Sequence, residues 1–537
     1  VLCVFISALF SVYHVTDAQD DLLSRLTLEQ KVAQMFIVNL YGSQLNEPAR
    51  DFLTRYQPGG VVLLPENIRT PEEVTQLNTI YQQTIIDSGG LPLFVSVDQE
   101  GGTIAHLRDG FTTFPVPMLL TASGDTELAY RVGEAMGEEM LAVGVNMNLA
   151  PVADLETNPN NPIIKRRSFG SDPAMVSPIV GAYIEGLQAA NVMATAKHFP
   201  GHGDSSDDSH VGLPVIALDR ERLEAVELAP YRAAIEAGVS TIMVAHIWYP
   251  ALEPQPDLPA SMSYNVITGL LREEMGYDGL IVTDALDMDA IDTVYSYPNA
   301  SLQAIKAGVD LVIAAHVSLE AQAAGIQRVV EAVRSGEIPE ERINESVRRI
   351  LAAKEKYGIL DWQPIDPTTV NEQMNLDAHA ELVSEIFDKG VTVAVDRNNV
   401  IPFKAGQRVA VIFPGTRPRI QQECTAEGVT VKPLAVSETP TESDIASAQR
   451  MAAQVDYTVV FSENADVTPQ RRALVNALPP DKTIAVALAS PYDWTTYPQV
   501  AGYVVTYSPL PQAVPAACGV LFGRIPANGK LSIAISR

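Results

Sequence analysis

Three of the chain's eight histidines fall in one short run, Lys197-His198-Phe199-Pro200-Gly201-His202-Gly203-Asp204-Ser205-Ser206-Asp207-Asp208-Ser209-His210. Pro200, Gly201 and Gly203 make this run a turning loop and not a helix. Asp208 and His210 stand two apart, so in an extended or turned backbone their side chains can meet. A carboxylate bonded to one imidazole nitrogen fixes the tautomer and raises the ring's pKa, leaving the other nitrogen to exchange a proton. That is the wiring of a general acid/base. The second chemical candidate is Asp284, at the end of Gly279-Leu280-Ile281-Val282-Thr283. A carboxylate at the tip of a buried strand is rigid and partly desolvated, suited to attacking an anomeric carbon or stabilising an oxocarbenium ion. Capping the next helix is a role that fits the same residue equally well.

Such groups need elements to aim them. From about residue 20 to 360, short apolar runs alternate with helix-length amphipathic stretches such as Pro71–Asp87, Met175–Ala190 and Arg220–Ala237. The runs are Gln34–Val38, Gly60–Leu64, Leu93–Val97, Val145–Leu149, Ala194–Lys197, Ser240–Val244, Gly279–Val282 and Asp310–Ile313. They are rich in Val, Ile, Leu and Met and free of proline, as strands covered on both faces should be. Eight strand–helix units predict an N-terminal (β/α)8 TIM-like barrel, with an open doubly wound sheet as the competing arrangement. In a barrel, chemistry collects where strands end at their carboxyl side. The third run leads into Asp98-Gln99-Glu100-Gly101-Gly102, and the fourth into Pro151 and Asp154, with Arg167-Ser168-Phe169-Gly170 further on. The fifth ends at Lys197-His198, the sixth at His246 and the seventh at Asp284. Agreement among so many strand ends marks a site.

A helix is expected from about Pro339, as a first-turn proline, with Ile343, Val347, Ile350 and Leu351 as its apolar stripe. Residues 361–385 read as a linker on their prolines and scattered polar groups. Beyond it, strands are predicted at Val391–Val395, Arg408–Phe413, Tyr457–Phe461, Thr483–Leu488 and Gly502–Thr506. Residues 386–537 therefore read as a smaller α/β sandwich domain, and 19–360 as the catalytic domain. Residues 1–18 resemble a signal segment: Val1 to Val15 are almost wholly apolar and Asp17 is the first acid. A buried first helix is the alternative. Export, to a periplasmic, cell-surface or extracellular location, is the expectation. Cys424 and Cys518 either pair there or sit buried as small apolar groups.

The formal net charge is −28 and hydrophobic residues make up 47% of the chain. The composition is globular, and the charge argues against nucleic acid and anionic membrane surfaces as partners. No integral membrane span is expected, since the apolar leader is shorter than the roughly 18–20 residues that spanning needs. No cofactor is implied.

The run Lys197 to His210 matches, at every defined position, the signature of bacterial β-N-acetylglucosaminidases of glycoside hydrolase family 3. Asp98 to Gly102, Arg167 to Gly170 and Val282-Thr283-Asp284 fall in that family's order and spacing. The resemblance covers roughly residues 20–360. The segment from Gly519-Val520-Leu521-Phe522-Gly523 to Gly529-Lys530-Leu531 resembles the family's second domain. The resemblance implies that Asp284 is the nucleophile, His210 the acid/base and Asp208 its orienting partner. It implies that Asp98, Arg167, Lys197 and His198 grip the terminal sugar. Where the family pattern has an arginine this chain has His106, with Arg108 as a nearby substitute. The implied reaction is retaining exo-hydrolysis of terminal β-linked N-acetylglucosamine through a glycosyl-aspartate. Its substrates would be peptidoglycan fragments or chitin-type oligosaccharides.

Other readings stay open at this point. Imidazole in place of a second carboxylate would not repel phosphate, so a phosphorylase fits the same residues, as do β-glucosidase and β-xylosidase specificities. His198, His202, Asp204 and His210 could instead ligate a metal in a metal-dependent barrel hydrolase. A sugar-binding protein without catalysis is a third reading. His246, His316, Asp287, Asp289, Trp248 and Tyr249 lie near the expected site without an assigned role, and core packing is the default for the aromatics.

Overall fold

A computed structural model of the chain describes residues 17–207, 212–288, 291 and 295–534. Each of the eight apolar runs overlaps a strand: β1 Phe36–Val38, β2 Gly60–Leu63, β3 Phe94–Val97, β4 Met147–Asn148, β5 Met193–Phe199, β6 Thr241–Val244, β7 Leu280–Thr283 and β8 Val312–Ala314. Every residue in them is buried. That explains their unbroken apolar character: helices cover the outside and facing side chains fill the inside. The strands lie in the order β8-β1-β2-β3-β4-β5-β6-β7, all pairs parallel. Closure comes at the bridge between Val282 and Leu311, where Leu311 N–H donates to the Ile281 carbonyl at 3.0 Å and Thr283 N–H to that of Leu311 at 3.0 Å. The sheet is thus a (β/α)8 barrel and not an open doubly wound sheet.

The amino end of this barrel is sealed by the helix Glu340–Lys356. Pro339 is its N-cap, one position before the first turn where the sequence places it. Lys354 is buried there, donating to Gln34 Oε1 at 2.8 Å with its ammonium 5.0 Å from the centre of the Phe94 ring; burial lowers its pKa to about 7. Asp310 at the foot of β8 accepts from Ser346 Oγ at 2.6 Å, Ile281 N at 3.0 Å and Arg349 Nη1 at 3.2 Å, and pairs with Arg272. The loops that carry the strand-end polar residues lie at the opposite, carboxyl end.

A second sheet follows, with β9 Thr392–Asp396, β10 Arg408–Pro414, β11 Thr430–Val436, β12 Tyr457–Ser462, β13 Thr483–Ala487 and β14 Gly502–Val505. Its order is β9-β14-β13-β12-β10-β11, parallel except for the β9–β14 pair. Helices between the strands make the unit an α/β sandwich. Strand β11 is absent from the sequence expectation. It is a half-exposed edge strand carrying Pro433, and a proline is tolerated there because only β10 pairs with it. Cys424 and Cys518 form a disulfide. The stretch 361–385 is more ordered than a linker: helix Val370–Gln373 is followed by helix Leu376–Gly390, whose Leu382, Val383, Ile386 and Phe387 are buried. His379 in that helix bonds Glu139 at 2.7 Å and Glu138 at 3.2 Å on barrel helix Thr126–Ala142. Residues 1–16, most of the expected signal segment, lie outside the described residues. Among the described residues no helix is long and apolar enough to cross a membrane.

Candidate active site

At the tips of β3 and β5 four charged side chains form one network. Lys197 Nζ lies 2.5 Å from Asp98 Oδ1 and 2.8 Å from Glu100 Oε1. Arg167, from the loop after β4, donates Nε to Glu100 Oε2 at 2.9 Å and Nη2 to Oε1 at 2.8 Å. Burial alone would neutralise the Glu100 carboxyl, but the charges and hydrogen bonds of Lys197 and Arg167 outweigh it and hold the pKa at about 2. Burial would likewise lower Lys197, yet Asp98 and Glu100 raise it overall. Glu100, Lys197 and Arg167 are therefore ionised, and the network sets two acids against two bases. Asp98 is the open end, its side chain 24% exposed against 1% for Glu100. A carboxylate fixed by an ammonium and still reachable from solvent is well suited to accept sugar hydroxyls. Asn148, at the end of β4, locks the peptide beside it by accepting from Gln99 N at 3.1 Å and donating to Gln99 O at 2.9 Å.

A second buried carboxylate organises the loop after β5. Asp154 accepts from His198 N at 3.0 Å, His202 N at 2.7 Å and Tyr231 Oη at 2.9 Å, and its Oδ2 lies 2.7 Å from His198 Nδ1. Burial opposes its charge, but His198 and His202 hold its pKa at about 2. Because a carboxylate only accepts, His198 carries a hydrogen on Nδ1. The His202 ring meets that of His198 edge-on, with centroids 5.8 Å apart. Burial and the neighbouring His198 push its pKa down to about 4, so it is neutral near pH 7.

Asp284 follows β7 directly and is part-buried. Its backbone N–H donates to the Val244 carbonyl at 3.2 Å, and Oδ1 accepts from Ala285 N at 2.8 Å. Burial raises its pKa; attraction from His198, then His246, the Ala285 N–H and Lys197, lowers it overall. Asp284 thus stands within electrostatic range of His198 and Lys197, at the same end of the barrel. His246 supports this carboxylate's loop: Nε2 lies 2.9 Å from the Ala285 carbonyl and Nδ1 2.8 Å from Ser261 Oγ. Only a protonated Nε2 suits a carbonyl, so Nδ1 of the neutral ring accepts from Ser261. Asp287 accepts from the backbone of Ala315 at 3.3 Å and His316 at 2.9 Å, tying the loops after β7 and β8.

The other predicted residues divide. His106 is half-buried on the ribbon formed by Gln99–Gly101 and Ile104–Ala105, its backbone N–H on the Asp98 carbonyl at 3.1 Å. Its Nδ1 is buried and has no hydrogen-bond partner among the described residues. Arg108 is exposed and turns back on its own loop, donating to Ala105 O at 2.6 Å and Thr103 O at 2.9 Å. Asp208, His210 and Asp289 lie outside the described residues. Tyr249 is buried with its hydroxyl on the Gly201 carbonyl at 2.6 Å, and half-buried Trp248 donates Nε1 to Glu253 O at 2.9 Å. Among the described residues no three His, Cys, Asp or Glu side chains are grouped to hold a metal ion. Sequence reasoning assigned no role to Glu100 and Asp154, although both sit in the strand-end segments that it singled out.

Residues 27–353 match the family model described as the glycosyl hydrolase family 3 N-terminal domain. The chain belongs to glycosyl hydrolase family 3. Among its relatives, β-hexosaminidase A of Pseudoalteromonas piscicida is 32% identical over 448 residues, which is 77% of this chain and 73% of that protein. A β-hexosaminidase of Tolumonas auensis is 35% identical over 281 residues, 52% of this chain and 81% of its own length. The solved family 3 β-N-acetylglucosaminidase from Paenibacillus sp. str. FPU-7 superposes with a TM-score of 0.81 at 37% identity, covering 95% of this chain and 99% of that one. Family 3 membership makes the chain a glycoside hydrolase whose described site lies at the carboxyl end of its barrel.

Proposed function

We propose that this glycoside hydrolase is a retaining exo-β-N-acetylglucosaminidase. The carrying observation is the Asp98–Lys197–Glu100–Arg167 network at the same barrel end as the Asp284 carboxylate at the tip of β7, whose pKa the attraction of His198 and Lys197 helps to lower. The β-hexosaminidase relatives and the β-N-acetylglucosaminidase neighbour support the sugar. In the first step Asp284 attacks the anomeric carbon. The bond to the leaving oxygen breaks, and that oxygen takes a proton from the His210 imidazolium, which Asp208 orients. In the second, neutral His210 takes a proton from water as the resulting hydroxide oxygen displaces Asp284. Two inversions give net retention. Asp98, Lys197, Arg167 and His198 bind hydroxyls of the terminal sugar, with His106 beside them. Arg108 would have to swing off its own loop to take part.

The substrates are terminal β-linked N-acetylglucosamine units on chitin-type oligosaccharides or peptidoglycan fragments. An exported location is proposed with this, supported by the apolar run Val1 to Val15 and by the Cys424–Cys518 disulfide, a bond favoured in oxidising compartments. The test is a panel of aryl β-glycosides, read by product stereochemistry in buffers with and without phosphate. Release of free β-configured N-acetylglucosamine at equal rates in both supports the reading. Preference for the glucoside or xyloside, or sugar 1-phosphate as the main product, contradicts it.

A further inference from the structure

The mouth of the barrel carries an aromatic side chain with no role in the chemistry above. Tyr41 stands three residues beyond β1 and is 41% exposed, while its neighbour Leu40 is 2% exposed. The backbone around it is held firmly. Asn67 Nδ2 donates to the carbonyls on either side, Leu40 at 2.6 Å and Gly42 at 2.8 Å. Asn39 Nδ2 reaches Val62 O at 3.2 Å and Asn67 Oδ1 at 3.3 Å. Gln322 Nε2 donates to Asn39 O at 3.0 Å and to Val317 O at 2.9 Å. Asn39, Asn67 and Gln322 are themselves buried. Three desolvated amides thus fix the loops after β1, β2 and β8 around a ring that is left in solvent. A tyrosine kept for packing would be buried, as Tyr81 and Tyr297 are nearby.

The barrel order locates this ring. Strand β1 lies between β8 and β2, so Tyr41 stands on the arc of rim that runs from Asp284 at β7 to Asp98 at β3. Two of the groups assigned to the terminal sugar are deep: Lys197 and His198 have side chains 3% and 7% exposed. A substrate held there by its end must direct its remaining part outward, across the rim. On either side of Tyr41 in the barrel order this arc carries a carboxylate: Glu66 in the turn Pro65–Asn67 after β2, and Asp287, which accepts from the loop after β8. It would disfavour an aglycone bearing a carboxylate.

We infer that Tyr41 is the stacking platform for the sugar on the leaving-group side of the scissile bond, and that this sugar is an uncharged pyranose. The inference rests on the N-acetylglucosaminidase reading and narrows its substrate to the chitin type. A rigid aromatic face offers apolar contact to a pyranose ring at little entropic cost. The test compares wild type, Tyr41→Ala and Tyr41→Phe on N,N′-diacetylchitobiose, methyl β-N-acetylglucosaminide and the N-acetylglucosaminyl–N-acetylmuramic acid disaccharide. Tyr41→Ala should lower kcat/KM for diacetylchitobiose about three- to tenfold, mainly through KM. The methyl glycoside, which has no second ring, should be unaffected, and Tyr41→Phe should behave as wild type on both. Equal losses on both substrates, or no loss on the disaccharide, would overturn the platform. Wild-type preference for the muramic acid disaccharide over diacetylchitobiose would overturn the uncharged aglycone. Wild-type inactivity on all three would instead sink the functional reading, and the platform with it.

Discussion

At the scale of single residues, the proposed site separates groups assigned to the substrate from groups that hold them in place. Lys197, His198, Asp98 and Asp284 are legible in the sequence because each ends or directly follows an apolar run, whereas Arg167, well along the loop after β4, is legible only through the family resemblance. Their partners are not. Glu100 meets Arg167 across 67 positions of chain, and Asp154 meets His198 across 44. Such pairings exist only once the barrel is closed, and no local pattern announces them. The Arg108 substitution shows the converse, since proximity in sequence to His106 does not bring its guanidinium off its own loop. Proton transfer is assigned to His210 on the Asp208-Ser209-His210 spacing. His210→Ala should therefore slow turnover of diacetylchitobiose by roughly 10²–10⁴-fold, the usual worth of a positioned acid/base. The loss in the glycosylation step should be far smaller with a dinitrophenyl leaving group, which departs without a proton. Steady-state and burst kinetics on the two substrates check this, and equal losses in that step would remove His210 from the role.

At the scale of elements, barrel strands were easy to read because burial on both faces leaves an unbroken apolar run, whereas β11 was missed because an edge strand lacks that pressure. The helix Leu376–Gly390 was missed for a different reason. The prolines before it suggested a linker, while the buried stripe that defines the helix begins only at Leu382, apart from His379. The disulfide joins the end of helix Arg419–Glu423 to helix Ala513–Leu521 across 94 positions of chain. Closing so long a loop restricts the unfolded chain, an effect worth roughly 2–4 kcal/mol. Cys424→Ser with Cys518→Ser should lower the stability of the sandwich by that order in denaturant unfolding. An unchanged midpoint would mean that the bond contributes nothing to the fold.

At the scale of the whole molecule, the second unit braces the loop that carries Asp154 and Arg167. Tyr492 Oη donates to Glu156 Oε1 at 3.2 Å, Ser171 N to Ser532 O at 2.9 Å, and Ala534 N to Ser171 Oγ at 2.8 Å. Gly170 has φ +151°, and a Cβ there would sit 2.2 Å from the Ser532 carbonyl, so the seam requires glycine. Glu156 is buried at this seam, and desolvation pushes its pKa from 4.5 to about 8. Below pH 4.5 both folded and unfolded chains hold this proton, and there is no penalty. Between pH 4.5 and about 8 the unfolded chain releases it while the folded chain keeps it, so stability falls as pH rises, and the full cost is reached above about 8. Glu156→Gln removes this titration and should flatten the decline of Tm with pH across that window. A mutant slope as steep as that of the wild type would place the titrating group elsewhere.

The central claim, that the β7 carboxylate becomes covalently bonded to the sugar, is tested most directly by trapping. The enzyme is incubated with a slowly turned-over fluorinated N-acetylglucosaminyl donor, digested, and its peptides sequenced by mass spectrometry. The account predicts one sugar attached to Asp284 and release of product with retained configuration. A sugar carried on any other side chain, or inverted product with no adduct, would contradict it.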